Sequence, residues 1–290
     1  MDECVKIAVI GASGLYQIDG LTEVCSYAAV TPFGKPSDDI VIGTLRGVRV
    51  AFIARHGRGH RHLPSQVPYR ANLFALKALG VDRVLSVSAC GSLRENLHPG
   101  EVVIPDQLVD LTKFRPNTFF GDGLVAHVSV ADPFCPHLRE LAADAVGNIA
   151  KTTVHQGGKL VTIEGPRFST KGESELFRLW GMDLINMTTC PEAFLAREAE
   201  MCYSVMCLIS DYDVWHEATE PVTVEMVGEM LRTNARLAQR AIHELVPQLA
   251  TREKSCECAQ ALGRALMTGP HLAEAHIRER LGPLVGKYLG

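Results

Sequence analysis

MCYSVMCLISDYDVW, Met201 to Trp215, is an apolar run whose only polar side chains are small hydroxyls, and it ends in two carboxylates, Asp211 and Asp213, on either side of Tyr212. A strand with one wet face alternates polar and apolar residues. A run apolar throughout is buried on both faces, as in a sheet covered by helices on two sides. In open α/β sheets, functional groups gather at the carboxyl ends of the strands. If the extended backbone persists, its period of two puts Asp211 and Asp213 on one face.

The same pattern recurs outward from this stretch. VKIAVIG (5–11), IVIGTL (40–45), VRVAFIARHG (48–57), RVLSVSACGSL (83–93), EVVIPDQLVD (101–110), 159–163 and DLINMT (183–188) read as strands, the second and third joined as a hairpin by a short turn. Between them, 68–80 reads as a helix with Pro68 near its start and Gly80 as its stop. Further helices are expected at 137–147, 173–181 and 191–200. A long amphipathic helix is expected at 224–245, where Val227, Met230, Leu231, Leu237, Ala238, Ala241, Ile242 and Leu245 recur at helical spacing. The tail offers LGRALM and HIRERLGPLVG as short helices. The alternation predicts an α/β chain around a mixed, largely buried sheet, with residues 1–250 as one domain and 251–290 as a helical extension packed on it.

Composition narrows the function. The 290 residues are 47% hydrophobic and 21% charged, with a net charge of −4, so no basic field favours nucleic acid. No stretch reaches the roughly 18 apolar residues of a membrane span. MDECVKIAVIG enters a strand without the pattern of a secretory leader, so a cytoplasmic location is expected. The nine cysteines sit mostly in apolar context and read as reduced buried thiols. Cys256 and Cys258 form a lone pair short of the roughly four ligands of a zinc site, so no metal is expected. The redox state of Cys256/Cys258 and of Cys135/Cys202 is left open.

Several strands end in unusual loops. GASG (11–14) lacks the G-x-G-x-x-G of a dinucleotide site, yet its amides and the Ser13 hydroxyl suit an anion; a plain tight turn is the other reading. ARHGRGHRH (54–62) brings Arg55 and His56 off a strand together, a guanidinium fork and a second donor for phosphate. His56, His60 and His62 have no neighbouring carboxylate or thiol to complete a metal set. SVSACGS (86–92) again offers hydroxyls and close backbone. EGPRFST (164–170) and NMTTCPE (186–192) add Phe168, a ring able to stack on a flat heterocycle, and hydroxyls at Thr188 and Thr189. An anion site without a P-loop lysine, beside a heterocycle whose nitrogen an aspartic acid could protonate, points to phosphorolysis of a nucleoside.

IGASGLY, TPFGKPSD, ARHGRGH, SACGSLRE, VTIEGPRFST, INMTTCPE and SDYDVW together resemble the trimeric purine nucleoside phosphorylase family, over residues 6–249. Within it they resemble the branch that cleaves S-methyl-5'-thioadenosine to adenine and 5-methylthioribose 1-phosphate. The resemblance implies a single-domain phosphorylase/hydrolase-like fold with a mixed twisted sheet, partly barrel-like, flanked by helices. It implies inorganic phosphate as co-substrate, with no further cofactor. It places phosphate at Ser13, Arg55, His56, Ser88, the amide of Ala89, and Thr188. Phe168 and Ser169 would line the base pocket, Met187 would reach the ribose through its backbone, and Asp211, Tyr212 and Asp213 would face the purine, with Asp211 as general acid at N7. Val224 and Val227 fall where this branch keeps an apolar 5' pocket, widened by Gly228 in place of a bulkier aliphatic residue. His127 matches a histidine that completes a neighbouring subunit's site in a homotrimer. Relatives acting on 6-oxopurines carry Glu at the position of Ser169 and Asn at that of Asp211. A carboxylate accepts from a 6-amino group where an amide donates to a 6-oxo group, so both residues favour adenine. A methylthioinosine or broad purine nucleoside phosphorylase is the alternative, and a hydrolytic nucleosidase and a nucleotide-binding protein without catalysis are the more distant ones.

Overall fold

Four parallel strands form the centre of the molecule, and their order explains why their sequences are apolar throughout. A computed structural model describes residues 5–11, 15, 17–149, 151–216 and 224–289, the side chains of 224–231 excepted. In chain order the elements are β1 (Ile7–Gly11), β2 (Leu21–Tyr27), β3 (Ile40–Leu45), β4 (Val48–Ala54), α1 (Tyr69–Ala78), β5 (Arg83–Ser92), β6 (Val102–Ile104), β7 (Gln107–Asp110), α2 (Pro136–Gly147), β8 (Val154–Gln156), β9 (Lys159–Thr162), α3 (Lys171–Leu179), β10 (Leu184–Asn186), α4 (Thr189–Glu198), β11 (Cys202–Asp211), α5 (Val224–Thr251), α6 (Ala275–Arg280) and α7 (Gly282–Leu289). The central strands lie side by side as β4-β1-β5-β11, all parallel. β5 is the pivot. Its first half pairs with β1, its end turns to pair with β10, and β11 runs along its other edge.

Alternate residues of these strands face two different cores. Ala8 and Ile10 of β1, with Val205, Cys207 and Ile209 of β11, pack against α1, α4 and α7. Ile7 and Val9, with Met206 and Leu208, pack against α2 and α5. Both faces are therefore dry, and each large apolar side chain removed from water contributes about 1.5–3 kcal/mol. On α5, Ala238, Ala241, Ile242, Leu245, Val246 and Leu249 form the buried stripe, so the helix runs past the expected end at 245, with Pro247 inside it. The hairpin β3–β4 closes through Arg46 and Gly47, both at positive φ (51° and 79°), the primed turn that matches strand twist.

Besides the longer α5, the structure departs from the sequence reading in four places. EVVIPDQLVD is not one strand: it breaks at Pro105, which has no N–H for a ladder, and β6 and β7 join different neighbours. β2 and β8, a largely exposed edge strand and a three-residue strand, carry no apolar run to announce them. LGRALM is a series of turns whose Leu266 bridges Ala126, because Leu262 and Ala265 must reach the core. The sheet is not barrel-like: among the described residues β2, β7 and β8 each pair with one neighbour, so it stays open. The tail nonetheless packs on the body, with Leu262, Ile277, Leu281, Leu284 and Leu289 buried in the same core as β1. Among the described residues no helix is long and apolar enough to cross a membrane.

Candidate active site

Parallel strands end on the same side, so the carboxyl ends of β4, β5 and β11 open together onto a cleft of about 570 Å³. The cleft gathers Arg55, His56, Ser88, Ala89, Phe168, Ser169, Met187, Thr188, Asp211 and Asp213, residues that sequence reading drew from five separate stretches. Ser13 lies outside the described residues, as do the side chains of Val224 and Val227. His127 is exposed and bonded through its backbone N–H to Ala265; it is not in the cleft of its own chain.

One end of the cleft gathers Ser88, Thr188, His56 and Arg55. Ser88 Oγ accepts from Asn186 Nδ2 at 3.0 Å, and Asn186 is itself fixed by Thr162 and Thr189. Thr188 precedes α4 and its hydroxyl makes no cap bond, which leaves it for the cleft. His56 Nδ1 lies 2.9 Å from the carbonyl oxygen of His62. A carbonyl only accepts, so Nδ1 carries the proton. Burial holds His56 down at about 4, so at neutral pH the ring is uncharged and Nε2 is an acceptor. This differs from the donor role expected from the sequence.

Arg55 differs as well. Its side chain is 3% exposed and its fork faces Glu192, which is fully buried, with Nε–Oε2 at 2.8 Å and Nη2–Oε1 at 3.0 Å. Nη1 donates to the Val87 carbonyl and Nη2 also to Ser86 Oγ. Burial would lower the Arg55 pKa, but the charge and hydrogen bond of Glu192 hold it above the usual value. Among the described contacts, one Nη1 hydrogen is left to point elsewhere. The expected bidentate grip on phosphate is therefore taken by a carboxylate. Glu192 accepts from Ser86 and Tyr203 too, both at 2.8 Å.

The other end presents acids and a hydroxyl. Asp213 N donates to Asp211 Oδ1 at 2.8 Å, Ser210 Oγ to Asp211 Oδ2 at 2.6 Å, and Ser174 Oγ to Asp213 Oδ2 at 2.6 Å. The two acids share a side through this turn, not through strand period: β11 stops at Asp211 after a register shift, and Asp213 has φ 51°. Burial raises the Asp213 pKa, the charge of Asp211 adding to it against the bond from Ser174. Gly91 admits the pair, since a Cβ there would lie 3.1 Å from Asp211 Oδ1 and 3.3 Å from Asp213 Cβ. Ser169 Oγ is buried beside the Asp213 carboxyl, and its contact helps to offset the upward pull of burial on that acid. Phe168 stands at the rim, 74% exposed. Tyr212 is not in the cleft. It points the other way, its hydroxyl 2.5 Å from His98 Nδ1 and its ring stacked on His216.

Sequence reading missed Asn186, Glu192 and Arg115. Asn186 had a signal, a lone amide closing an apolar strand. Arg115 is buried and donates to the carbonyls of Met187, Cys190 and Glu164, tying the two cleft loops 164–170 and 186–192 together. It and Glu192 act over long sequence separations that leave no local mark. The reading of Cys256 and Cys258 as a lone pair also changes. Cys256 and Cys258 are not alone, for Cys135 and Cys202 bring their sulfurs to the same place, and all four lie within 4.8 Å of one another.

An open α/β sheet with a cleft at its carboxyl edge, hydroxyls and a histidine at one end and paired acids at the other, is a frame that suits a nucleoside phosphorylase. The pattern of the Phosphorylase superfamily matches residues 6–247, and the chain belongs to that superfamily. Among its relatives, the S-methyl-5'-thioadenosine phosphorylase of Geobacter sulfurreducens is 49% identical over 286 residues, 98% of this chain and 99% of that one. The crystal structure of a methylthioadenosine phosphorylase sourced from an antarctic soil metagenomic library matches with a TM-score of 0.94 at 47% identity, covering 97% of this chain and 99% of that one. The methylthioadenosine phosphorylase of Schistosoma mansoni, solved in complex with adenine, matches with a TM-score of 0.80 at 36% identity, covering 89% and 96%.

Proposed function

We propose that this protein cleaves S-methyl-5'-thioadenosine by phosphorolysis, giving adenine and 5-methylthioribose 1-phosphate. One observation carries the reading. A single cleft holds the Ser88 and Thr188 hydroxyls and His56 at one end, and the Ser169 hydroxyl with the Asp211–Asp213 pair at the other. The near-complete coverage at about half identity to phosphorylases of this substrate supports it.

In the proposed mechanism phosphate lies against Ser88, Thr188, the Ala89 amide, His56 and Ser13. The remaining Nη1 hydrogen and the charge of Arg55 add to its binding. The anion stabilises the oxocarbenium character that develops at C1' as the bond to the purine breaks. Asp211 shares or donates a proton at N7 and so relieves the charge left on the purine. Asp213 and Ser169 meet the base edge, Phe168 covers it from the rim, and the Met187 backbone reaches the ribose. Val224 and Val227 bound the 5' group. Inorganic phosphate is the co-substrate, and no other cofactor enters these steps. A homotrimer in which the partner subunit's His127 completes the site is part of the proposal. It is supported by exposed Phe114, Leu176 and Trp180 on a groove that shares Ile163 and Ser169 with the cleft.

Because His56 Nε2 accepts, it favours an anion that brings its own proton. Monohydrogen phosphate has one; sulfate at neutral pH has none. Adenine release is therefore expected to require phosphate, and sulfate is expected to compete weakly. With His56→Lys, a donor at that position, the preference for phosphate over sulfate should fall by about tenfold, the worth of one hydrogen bond. Sulfate inhibition constants for both proteins measure this. Sulfate binding as tightly as phosphate to the unmodified protein would refute the acceptor role, and adenine release without phosphate would refute phosphorolysis.

A further inference from the structure

The four-cysteine cluster lies at the opposite end of β11 from the cleft. Cys202 opens that strand and Asp211 closes it, so at 3.3 Å per residue they stand roughly 30 Å apart. Cys135 is the N-cap of α2. Cys256 and Cys258 flank Glu257 where the chain, having left α5, enters a short 3-10 turn at Cys258–Gln260. Cys135, Cys202 and Cys258 are buried and Cys256 is half-buried; all four are free thiols. The sulfurs converge on one region: each lies within 4.8 Å of the others, and Cys202 Sγ is 3.4 Å from Cys256 Sγ. A tetrahedral zinc–sulfur bond of about 2.3 Å gives sulfur–sulfur edges of about 3.8 Å, inside that spread.

We propose that Cys135, Cys202, Cys256 and Cys258 bind one zinc ion as a closed tetrathiolate site that fastens the C-terminal segment to the body of the protein. Binding releases four thiol protons, so Zn²⁺ and four Cys–SH become a zinc tetrathiolate of net charge −2 and four H⁺. The surroundings suit that charge. Leu138 N–H donates to Cys135 Sγ at 3.5 Å from the first turn of α2, and Arg197 Nη1 donates to Cys258 Sγ at 3.7 Å. With four protein ligands there is no open position for water or substrate, so the ion is structural. Its leverage falls on the tail. The segment that follows Cys258 carries Leu262, whose N–H bonds Glu200, Ala265, whose carbonyl accepts from His127 N–H, and Leu266, which bridges Ala126.

The test uses the full-length protein purified under reducing conditions without chelator. Elemental analysis should find about one zinc per chain. Metal-free protein titrated with cobalt(II) should show sulfur-to-cobalt charge-transfer bands and the visible spectrum of a tetrahedral site. In the Cys256→Ser, Cys258→Ser double variant, zinc should fall at least tenfold and the cobalt spectrum should vanish. Zinc removal should also lower the melting temperature while the cleavage rate at low temperature persists. Unmodified protein that carries no zinc and shows no thiolate–cobalt band overturns the proposal. So does a cobalt spectrum unchanged in the double variant, or an intact mass showing the four sulfurs joined as disulfides. Should the double variant fail to fold, the metal content and cobalt spectrum of the unmodified protein decide.

Discussion

Asp211→Asn should lower turnover of S-methyl-5'-thioadenosine by about 10²–10⁴-fold, the range of a lost general acid, and leave the fold intact. The side chain is nearly isosteric. Asparagine Oδ1 can still accept from Asp213 N–H, and Ser210 can turn its hydroxyl fully to the Cys90 carbonyl, 3.2 Å away. What is lost is a carboxyl able to share a proton with the leaving purine. The same change alters the base edge, since an amide can donate to a 6-oxo group. The loss should thus be smaller on methylthioinosine, and smaller again when Ser169→Glu is added. Steady-state kinetics on both nucleosides, with a melting curve for each variant, separates chemistry from folding. Near-normal turnover of the adenine nucleoside in Asp211→Asn would remove Asp211 from the mechanism.

Glu192→Ala should be the most damaging single change outside the cleft, costing about 3–5 kcal/mol of stability. It leaves the Arg55 guanidinium charged and buried, and strips Ser86 and Tyr203 of their acceptor. Breaking one half of a buried pair costs far more than the pair contributes, so the double change Glu192→Ala with Arg55→Met should recover much of the loss. The double variant would still bind phosphate poorly, having lost the cation beside the anion pocket. Urea melts of the three variants test this. A single variant within about 1 kcal/mol of the parent would mean that Arg55 finds another partner.

How far the sequence reaches can be judged from these residues. Met201–Ser210 shows its burial on both faces because the two-sided core leaves no polar position to alternate. The loops after β4, β5 and β11 were legible for the same reason, as chemistry placed where apolar runs stop. Direction was harder. Asp211 and Asp213 lie side by side, but the strand period expected to place them stops at Asp211, and a side-chain turn does the pairing. Tyr212, expected at the base, sits between two cleft-facing acids and faces away. His56 and Arg55 line the cleft as their motif implies, yet what each offers there depends on the His62 carbonyl and on Glu192, 137 residues from Arg55. Composition carries no sign of such pairings. The grouping of the four cysteines is hidden likewise, since Cys135 and Cys202 meet the C-x-C pair only when α2, β11 and the tail are packed.

The most direct measurement is cleavage of methylthioadenosine, methylthioinosine, adenosine and inosine, each with and without inorganic phosphate, with the base and the sugar product both identified. Methylthioadenosine should be the best substrate, giving adenine and a sugar 1-phosphate in equal amounts only when phosphate is present, and both 6-oxopurines should be cleaved at least a hundredfold less efficiently. Equal cleavage of the 6-oxo and 6-amino nucleosides, or adenine released with free methylthioribose in the absence of phosphate, would contradict it.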